Sequence, residues 1–157
     1  MDLVQTYRDA RRDELLAKTR RGIALRAMAA SGLSQREIAE LLGVSQPAIS
    51  QQMASAPKTD TLHPEDLLAA ASPALTTLAE LHGYRDLAVF GSVARHEARP
   101  DSDIDLLVRP PAGTSTFDFI RFKHLLETVL GRDIDLVELG GLTPGMDDDI
   151  RRDAVPL

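Results

Sequence analysis

The sequence has no cysteine and no tryptophan, and its only aromatic residues are two tyrosines and four phenylalanines. Without thiols the chain can form no disulfide, no thiolate zinc site and no cysteine nucleophile. The scarcity of aromatic rings also disfavours a surface that stacks the bases of single-stranded nucleic acid.

Long hydrophobic runs are missing as well. No apolar segment approaches the ~18–20 residues of a membrane helix, and residues Met1–Ala10 lack the pattern of a signal peptide. We therefore expect a cytoplasmic protein that does not contact a membrane. With 157 residues, 43% of them hydrophobic, the chain is long enough for one ordinary folded domain or two small ones.

A net charge of -6 argues against a nucleic-acid partner only if the charge is spread evenly. Residues 1–57 carry eight basic and six acidic side chains, whereas residues 58–157 carry ten basic and eighteen acidic ones. The two parts therefore differ in electrostatic character, which predicts two domains with different partners.

Residues 34–53 carry the pattern of two short helices joined by a turn, after a long basic helix predicted for residues 2–30. Ser34 followed by Glu37 is a capping box that predicts a helix start, Gly43 supplies a turn, and Ser45 can cap a second helix. The segment resembles the helix-turn-helix of Xre-type repressors. The apolar residues predicted as the buried face of the first short helix are Ile38, Ala39, Leu41 and Leu42.

The second short helix presents side chains that suit the major groove of DNA. Glutamine can pair with the N6 and N7 atoms of adenine, and serine can bond several base edges. We therefore predict double-stranded DNA as a partner and Ser45, Gln46, Ser50 and Gln51 as its contacts. Because this helix has no Arg or Lys, a helical hairpin that serves only packing or dimerisation is the alternative.

The domain boundary is predicted from composition. Residues 1–56 form the predicted helix-turn-helix domain, residues 57–64 a polar linker with two prolines, and residues 65–157 the second domain. Glu65–Ala71 and Pro73–Leu81 are predicted as helical stretches, and Pro73 either kinks one helix or starts another. The fold class is thus an all-α domain followed by an α/β (α+β) domain with a short mixed sheet.

A short buried strand is predicted at residues 87–90, and it runs directly into Gly91-Ser92 and a helix start. Backbone N–H groups, a hydroxyl and a helix N-terminus at one point can hold a phosphate. A tight turn with no ligand explains this motif equally well when it is taken alone.

Three aspartates follow at the starts of two predicted strands. Asp103 and Asp105 are two residues apart, so they point to the same face of a strand, and Asp135 begins a second strand with a similar sequence. Carboxylates gathered at neighbouring strands repel one another unless a cation lies between them. Hard oxygen ligands favour Mg²⁺, with Mn²⁺ as an alternative, and two such ions can promote phosphoryl transfer.

Residues 90–108, FGSVARHEARPDSDIDLLV, resemble the Gly-Ser and Asp-x-Asp signature of polymerase-beta-like nucleotidyltransferases, specifically the minimal nucleotidyltransferase family. The resemblance implies that Gly91 and Ser92 hold the nucleotide phosphates and that Arg95 approaches phosphate charge. It also implies that Asp103 and Asp105 bind two metal ions and that Asp135 completes the catalytic site. His96 stands where this family commonly has glycine, and we expect it to be exposed.

The family resemblance also implies a reaction and a partner. Members of this family look like the antitoxins of toxin–antitoxin pairs. Such an antitoxin transfers AMP from Mg-ATP to a tyrosine of its partner, a HEPN-type ribonuclease toxin. The predicted function is therefore protein adenylyltransferase and antitoxin, and the helix-turn-helix would bind the chain's own promoter. A homo-oligomer and a hetero-oligomer with the toxin both fit this prediction.

Two other functions are compatible with the sequence. One is a DNA-binding transcriptional regulator whose second domain only senses a nucleotide or docks a partner. The other is a small-molecule nucleotidyltransferase that modifies an aminoglycoside-like hydroxyl. Residues 116–130 are predicted as an amphipathic helix that packs on the sheet, and Asp147, Asp148 and Asp149 are predicted to begin the last helix.

Overall fold

The computed structural model describes residues 2–157, and Met1, the first residue of the predicted N-terminal domain, lies outside them. Its longest element is helix α1 (Leu3–Ala30), which Asp2 caps by accepting a hydrogen bond from the N–H of Val4. Ser31 caps the C-terminus of the helix and is followed by Gly32, which has a φ of +97°. The long helix predicted for residues 2–30 is confirmed.

Two short helices follow, α2 (Gln35–Leu42) and α3 (Gln46–Ser55). Ser34 and Glu37 form the predicted capping box, because each side chain bonds the backbone N–H of the other residue. Ser45 caps α3 by accepting from the N–H of Ala48. Both helix starts follow from local hydrogen bonds that the sequence determines.

The predicted buried face of α2 is only partly correct. Ile38 and Ala39 are buried and form a small core with Leu25 of α1 and Ile49 of α3. Leu41 and Leu42, in contrast, are 69% and 50% exposed. These two leucines lie in the last turn of α2 and are not part of that small core, so the prediction that they are buried is wrong.

Residues 57–64, predicted as a linker, lead into helix α4 (Pro64–Leu81). Thr59 in this segment is buried, and its hydroxyl donates to the carbonyl of Leu130 at 2.6 Å. Pro73 lies inside α4 without ending it. The two helical stretches predicted on either side of Pro73 are therefore one helix.

The rest of the chain forms a four-stranded mixed sheet with three α-helices and a short 3-10 helix at Leu139–Gly141. The strands are β1 (Arg85–Phe90), β2 (Ile104–Arg109), β3 (Ile134–Glu138) and β4 (Val155–Pro156). Their order is β3-β2-β1-β4, in which β1 is antiparallel to both neighbours and β2 is parallel to β3. The helices are α5 (Gly91–Ala94), α6 (Thr116–Leu130) and α7 (Asp148–Asp153), and the last two match the predictions.

The main core lies between the sheet and helices α4 and α6, and α1 contributes to it as well. Ile23 and Ala27 of α1 belong to this main core, whereas Leu25 of the same helix belongs to the small core under α2 and α3. Helix α1 therefore joins the helical N-terminal part to the α/β part. No helix within residues 2–157 combines the length and the apolar character that crossing a membrane requires.

Candidate active site

The turn after β1 is shaped by its contact with an acidic side chain from β2. Gly91 has a φ of +71°, a backbone conformation that favours glycine. A Cβ atom at this position would overlap the carboxylate of Asp105. The Asp105 side chain thus lies directly against the Gly91-Ser92 turn, where the sequence predicts a phosphate-binding loop.

The sheet register brings the predicted acids to one place. Phe90, which precedes the turn, pairs with Asp105 on β2, and Asp105 pairs with Asp135 on β3. Asp103 lies one residue before β2 begins. The turn, the central aspartate and the third aspartate are therefore neighbours across three adjacent strands.

The pKa of Asp105 reflects its burial and the two neighbouring acids. The pKa of Asp105 is raised from 3.8 to about 6 by burial, then by the negative charges of Asp135 and Asp103 and a hydrogen bond with Asp135. The positive charge of Arg95 opposes this shift. A carboxylate so placed is stabilised by any cation that enters the site.

The carboxylates fit a divalent cation by their chemistry. Within residues 2–157, no group of three His, Cys, Asp or Glu side chains has the arrangement that holds a metal ion. Nonetheless, Asp103, Asp105 and Asp135 offer hard oxygen ligands, and burial together with the charges of Asp135 and Asp103 raises the pKa of Asp105. Such a donor set suits Mg²⁺ or Mn²⁺.

Arg95 and His96 follow the short helix α5. The guanidinium of Arg95 lies 3.1 Å from a carboxylate oxygen of Glu97 and 3.3 Å from one of Asp153, and its side chain is 45% exposed. His96 is exposed, as expected, and has a φ of +58°. This left-handed conformation gives a physical reason why glycine suits the position.

Sequence reasoning missed Arg132, which lies between α6 and β3. Its guanidinium donates hydrogen bonds of 2.8 Å to the backbone carbonyls of Leu62, Pro100 and Ser102. The available signal is a basic residue three positions before Asp135. Its partners are backbone atoms far away in the sequence, so no local pattern reveals them.

The residues predicted to contact DNA lie on and just before α3. Ser45, Gln46, Ser50 and Gln51 are all exposed. The amide nitrogen of Gln46 donates to the side-chain oxygen of Gln35 on α2 at 3.0 Å, which fixes the orientation of Gln46. This group is separate from the acidic site, which lies on the sheet.

Comparisons with known proteins match the part of the chain that contains the acidic site. The model of the family described as nucleotidyltransferase domain matches residues 74–155. Protein adenylyltransferase MntA of Thermococcus cleftensis is 40% identical over 78 residues, which are 50% of this chain and 79% of that protein. A Methanocaldococcus jannaschii protein provisionally named a protein adenylyltransferase is 40% identical over 74 residues, covering 47% of this chain and 80% of its own.

A solved structure, described provisionally as a minimal nucleotidyltransferase, has the same fold. It superposes with a TM-score of 0.54 at 43% sequence identity, over 59% of this chain and 95% of its own. Helices α1, α2 and α3 lie before the residues that the family model matches.

Proposed function

The chain belongs to the nucleotidyltransferase domain family, and we propose from this that it transfers AMP from ATP to a hydroxyl group of a partner protein. The relatives named protein adenylyltransferases support the choice of a protein acceptor. The observation that carries the proposal is the Asp105 carboxylate, which lies between the Gly91 turn and Asp135.

The residues have distinct roles in this proposal. The Gly91-Ser92 turn binds the phosphates of ATP, and Arg95 adds positive charge nearby. Asp103, Asp105 and Asp135 would hold divalent cations, whose positive charge would offset the negative charge of the triphosphate and of the pyrophosphate that leaves. Asp135, on the edge strand β3, orients the acceptor hydroxyl and receives its proton as the oxygen bonds the α-phosphorus and the bond from that phosphorus to pyrophosphate breaks.

The acceptor that we propose is a HEPN-type ribonuclease toxin, modified on a tyrosine. The chain then acts as the antitoxin of the pair, because an added AMP group brings negative charge and bulk to the toxin. This part of the proposal is motivated by the family resemblance of residues 90–108, and the relatives' names support only a protein as the acceptor.

Intact-mass spectrometry tests the transfer. The chain is incubated with Mg-ATP and the purified product of the neighbouring gene, and we expect the product to gain the mass of one AMP. Asp103→Asn and Asp105→Asn should abolish the gain, whereas Asp101→Asn, which removes an exposed acid of the same loop, should preserve it. Tight ATP binding without any mass gain would instead support a non-catalytic, nucleotide-sensing regulator.

We also propose that α2 and α3 bind double-stranded DNA at the chain's own promoter. The hydrogen bond between Gln35 and Gln46 supports this, because it pre-orients an exposed amide that can read adenine. Gln46→Ala and Gln51→Ala should weaken binding to a promoter duplex in an electrophoretic mobility assay. Gln52→Ala is the matched control, since Gln52 is half-buried and lines a cleft beside α1. If all three variants bind the duplex as tightly as the unmodified protein, the result would favour a packing role for the helices.

A further inference from the structure

The loop that carries Asp103 is not held by the sheet. Pairing between β2 and β3 begins at Ile104 with Ile134, so Asp103 lies outside the paired residues. The loop is closed by a turn of its own, in which the N–H of Ser102 donates to the carbonyl of Arg99 at 2.9 Å. The Arg99 N–H in turn donates to the Ser102 hydroxyl at 2.7 Å.

Arg132 attaches this turn to the start of β3. One guanidinium nitrogen donates to the carbonyls of Pro100 and Ser102, and the other donates to the carbonyl of Leu62, each at 2.8 Å. Hydrogen bonds from a charged donor are stronger than neutral ones. Ser102 directly precedes Asp103, and Arg132 lies three residues before Asp135, so the side chain links the two acid-bearing segments.

The hydrogen bonds of Arg132 oppose the electrostatic repulsion between the acids. Asp103 and Asp135 both place negative charge near Asp105, and like charges favour separation. Of the three acids, Asp103 lies in the segment that the sheet does not pair. We expect a loop without this restraint to move away from the other two acids, which would make it harder for Asp103 to reach a shared cation.

We propose that Arg132 is a positioning residue that keeps the loop before Asp103 beside the start of β3, so that Asp103 can join Asp105 and Asp135 when a divalent cation binds. The inference rests on the proposed metal-dependent transfer, but it concerns metal binding alone. The planar guanidinium reaches several carbonyls at once, whereas a lysine ammonium is a single point of charge. Lysine should therefore replace Arg132 only in part.

Another arginine of the chain provides a matched control. Arg26 on α1 also bonds a backbone carbonyl at the end of α6, since its Nε donates to Val129 at 2.9 Å. None of its hydrogen bonds within residues 2–157 reaches the loop at 99–103. Removal of Arg26 therefore disturbs the packing near α6 without releasing Asp103.

The experiment measures Mn²⁺ affinity by isothermal titration calorimetry in the absence of ATP, together with the melting temperature. Arg132→Gln should weaken Mn²⁺ binding about tenfold or more, as loss of residues that orient metal ligands commonly does. Arg132→Lys should fall between this variant and the unmodified protein. Arg26→Gln should keep the Mn²⁺ affinity even where its melting temperature falls.

Two results would overturn the inference. The first is a Mn²⁺ affinity of Arg132→Gln that equals that of the unmodified protein. The second is that Arg26→Gln loses as much Mn²⁺ affinity as Arg132→Gln when the two variants lose the same melting temperature. An unmodified protein that binds no Mn²⁺ would overturn the metal site and this inference together. Failure to modify an acceptor, with the Mn²⁺ differences intact, would instead count against the proposed function alone.

Discussion

The charged form of Asp105 is unfavourable in the folded protein, because its carboxylate is partly buried and lies near two other acids. Its pKa is raised to about 6 from 3.8, first by burial and then by the charges of Asp135 and Asp103. A raised pKa means that the folded state favours the protonated carboxyl. The stabilisation from the neutral form is complete below about pH 4 and is lost as the pH rises through about 6.

Asp105→Asn should therefore raise the melting temperature of the metal-free protein above pH 6, because the amide carries no charge into the cluster. The gain should shrink as the pH falls toward 4, where the natural carboxyl is protonated. Differential scanning fluorimetry in EDTA across this pH range measures the effect. A variant that is less stable than the unmodified protein at pH 7 would contradict the claim that the charged Asp105 carboxylate is unfavourable in the folded protein.

Gly91→Ala tests the contact between the phosphate-binding turn and the central acid. Gly91 and Gly113 both have positive φ values, +71° and +82°, so alanine strains the backbone at each. Only at Gly91 does the added Cβ meet the Asp105 carboxylate, whereas nothing lies within 4 Å at Gly113.

We expect Gly91→Ala to lower the rate of AMP transfer at least tenfold, or about 1.4 kcal/mol in transition-state stabilisation. Gly113→Ala should change only the melting temperature. The rates of pyrophosphate release by the two variants provide the comparison, and equal rates would contradict the role of Gly91.

At the scale of the elements, α1 meets the segment after α3 at a glycine. A Cβ on Gly22 would lie 2.8 Å from the Cβ of Ala56, closer than packed side chains allow. Alanine usually stabilises a helix interior by about 0.5–1 kcal/mol relative to glycine. At this position, the close approach of the two segments should reverse that preference.

Gly22→Ala should consequently lower the free energy of unfolding, and adding Ala56→Gly should restore part of it by removing the opposing methyl group. Urea denaturation of the two single variants and the double variant forms a double-mutant cycle. Additive effects of the two substitutions would show that α1 and residue 56 do not approach as closely as the structure has them.

The sequence predicted those elements whose signals are local. Ser34, Glu37 and Ser45 begin α2 and α3 by bonds within a few residues, and the apolar spacing of residues 116–130 matches α6. Leu41 and Leu42 were placed wrongly, because the residues of α2 that enter the small core are those that meet Leu25 of α1 and Ile49 of α3, and local spacing does not reveal these contacts. Arg132 was missed for the same reason, since its partners lie about 30 and 70 residues away.

The whole molecule is a nucleotidyltransferase domain with an additional helical part that shares a helix with it. Helix α1 supplies Ile23 to the main core and Leu25 to the small core. Thr59 and Arg26 add hydrogen bonds to the carbonyls of Leu130 and Val129 at the end of α6. The two predicted domains are thus attached by more than a flexible connection.

We expect both parts to unfold together because of this attachment. Differential scanning calorimetry should give a single transition whose calorimetric and van't Hoff enthalpies agree. A separate low-temperature transition for the residues before α4 would contradict this expectation. Such a result would support an independent helix-turn-helix domain on a flexible linker.

The position of the label in ATP tests the central claim most directly. A nucleotidyltransferase transfers the α-phosphate with its nucleoside and releases pyrophosphate, whereas a kinase transfers the γ-phosphate. We expect the acceptor protein to become radioactive with α-³²P-ATP and to stay unlabelled with γ-³²P-ATP, and Asp105→Asn should abolish the α label. Labelling from the γ-phosphate, or α label that persists in Asp105→Asn, would contradict the account.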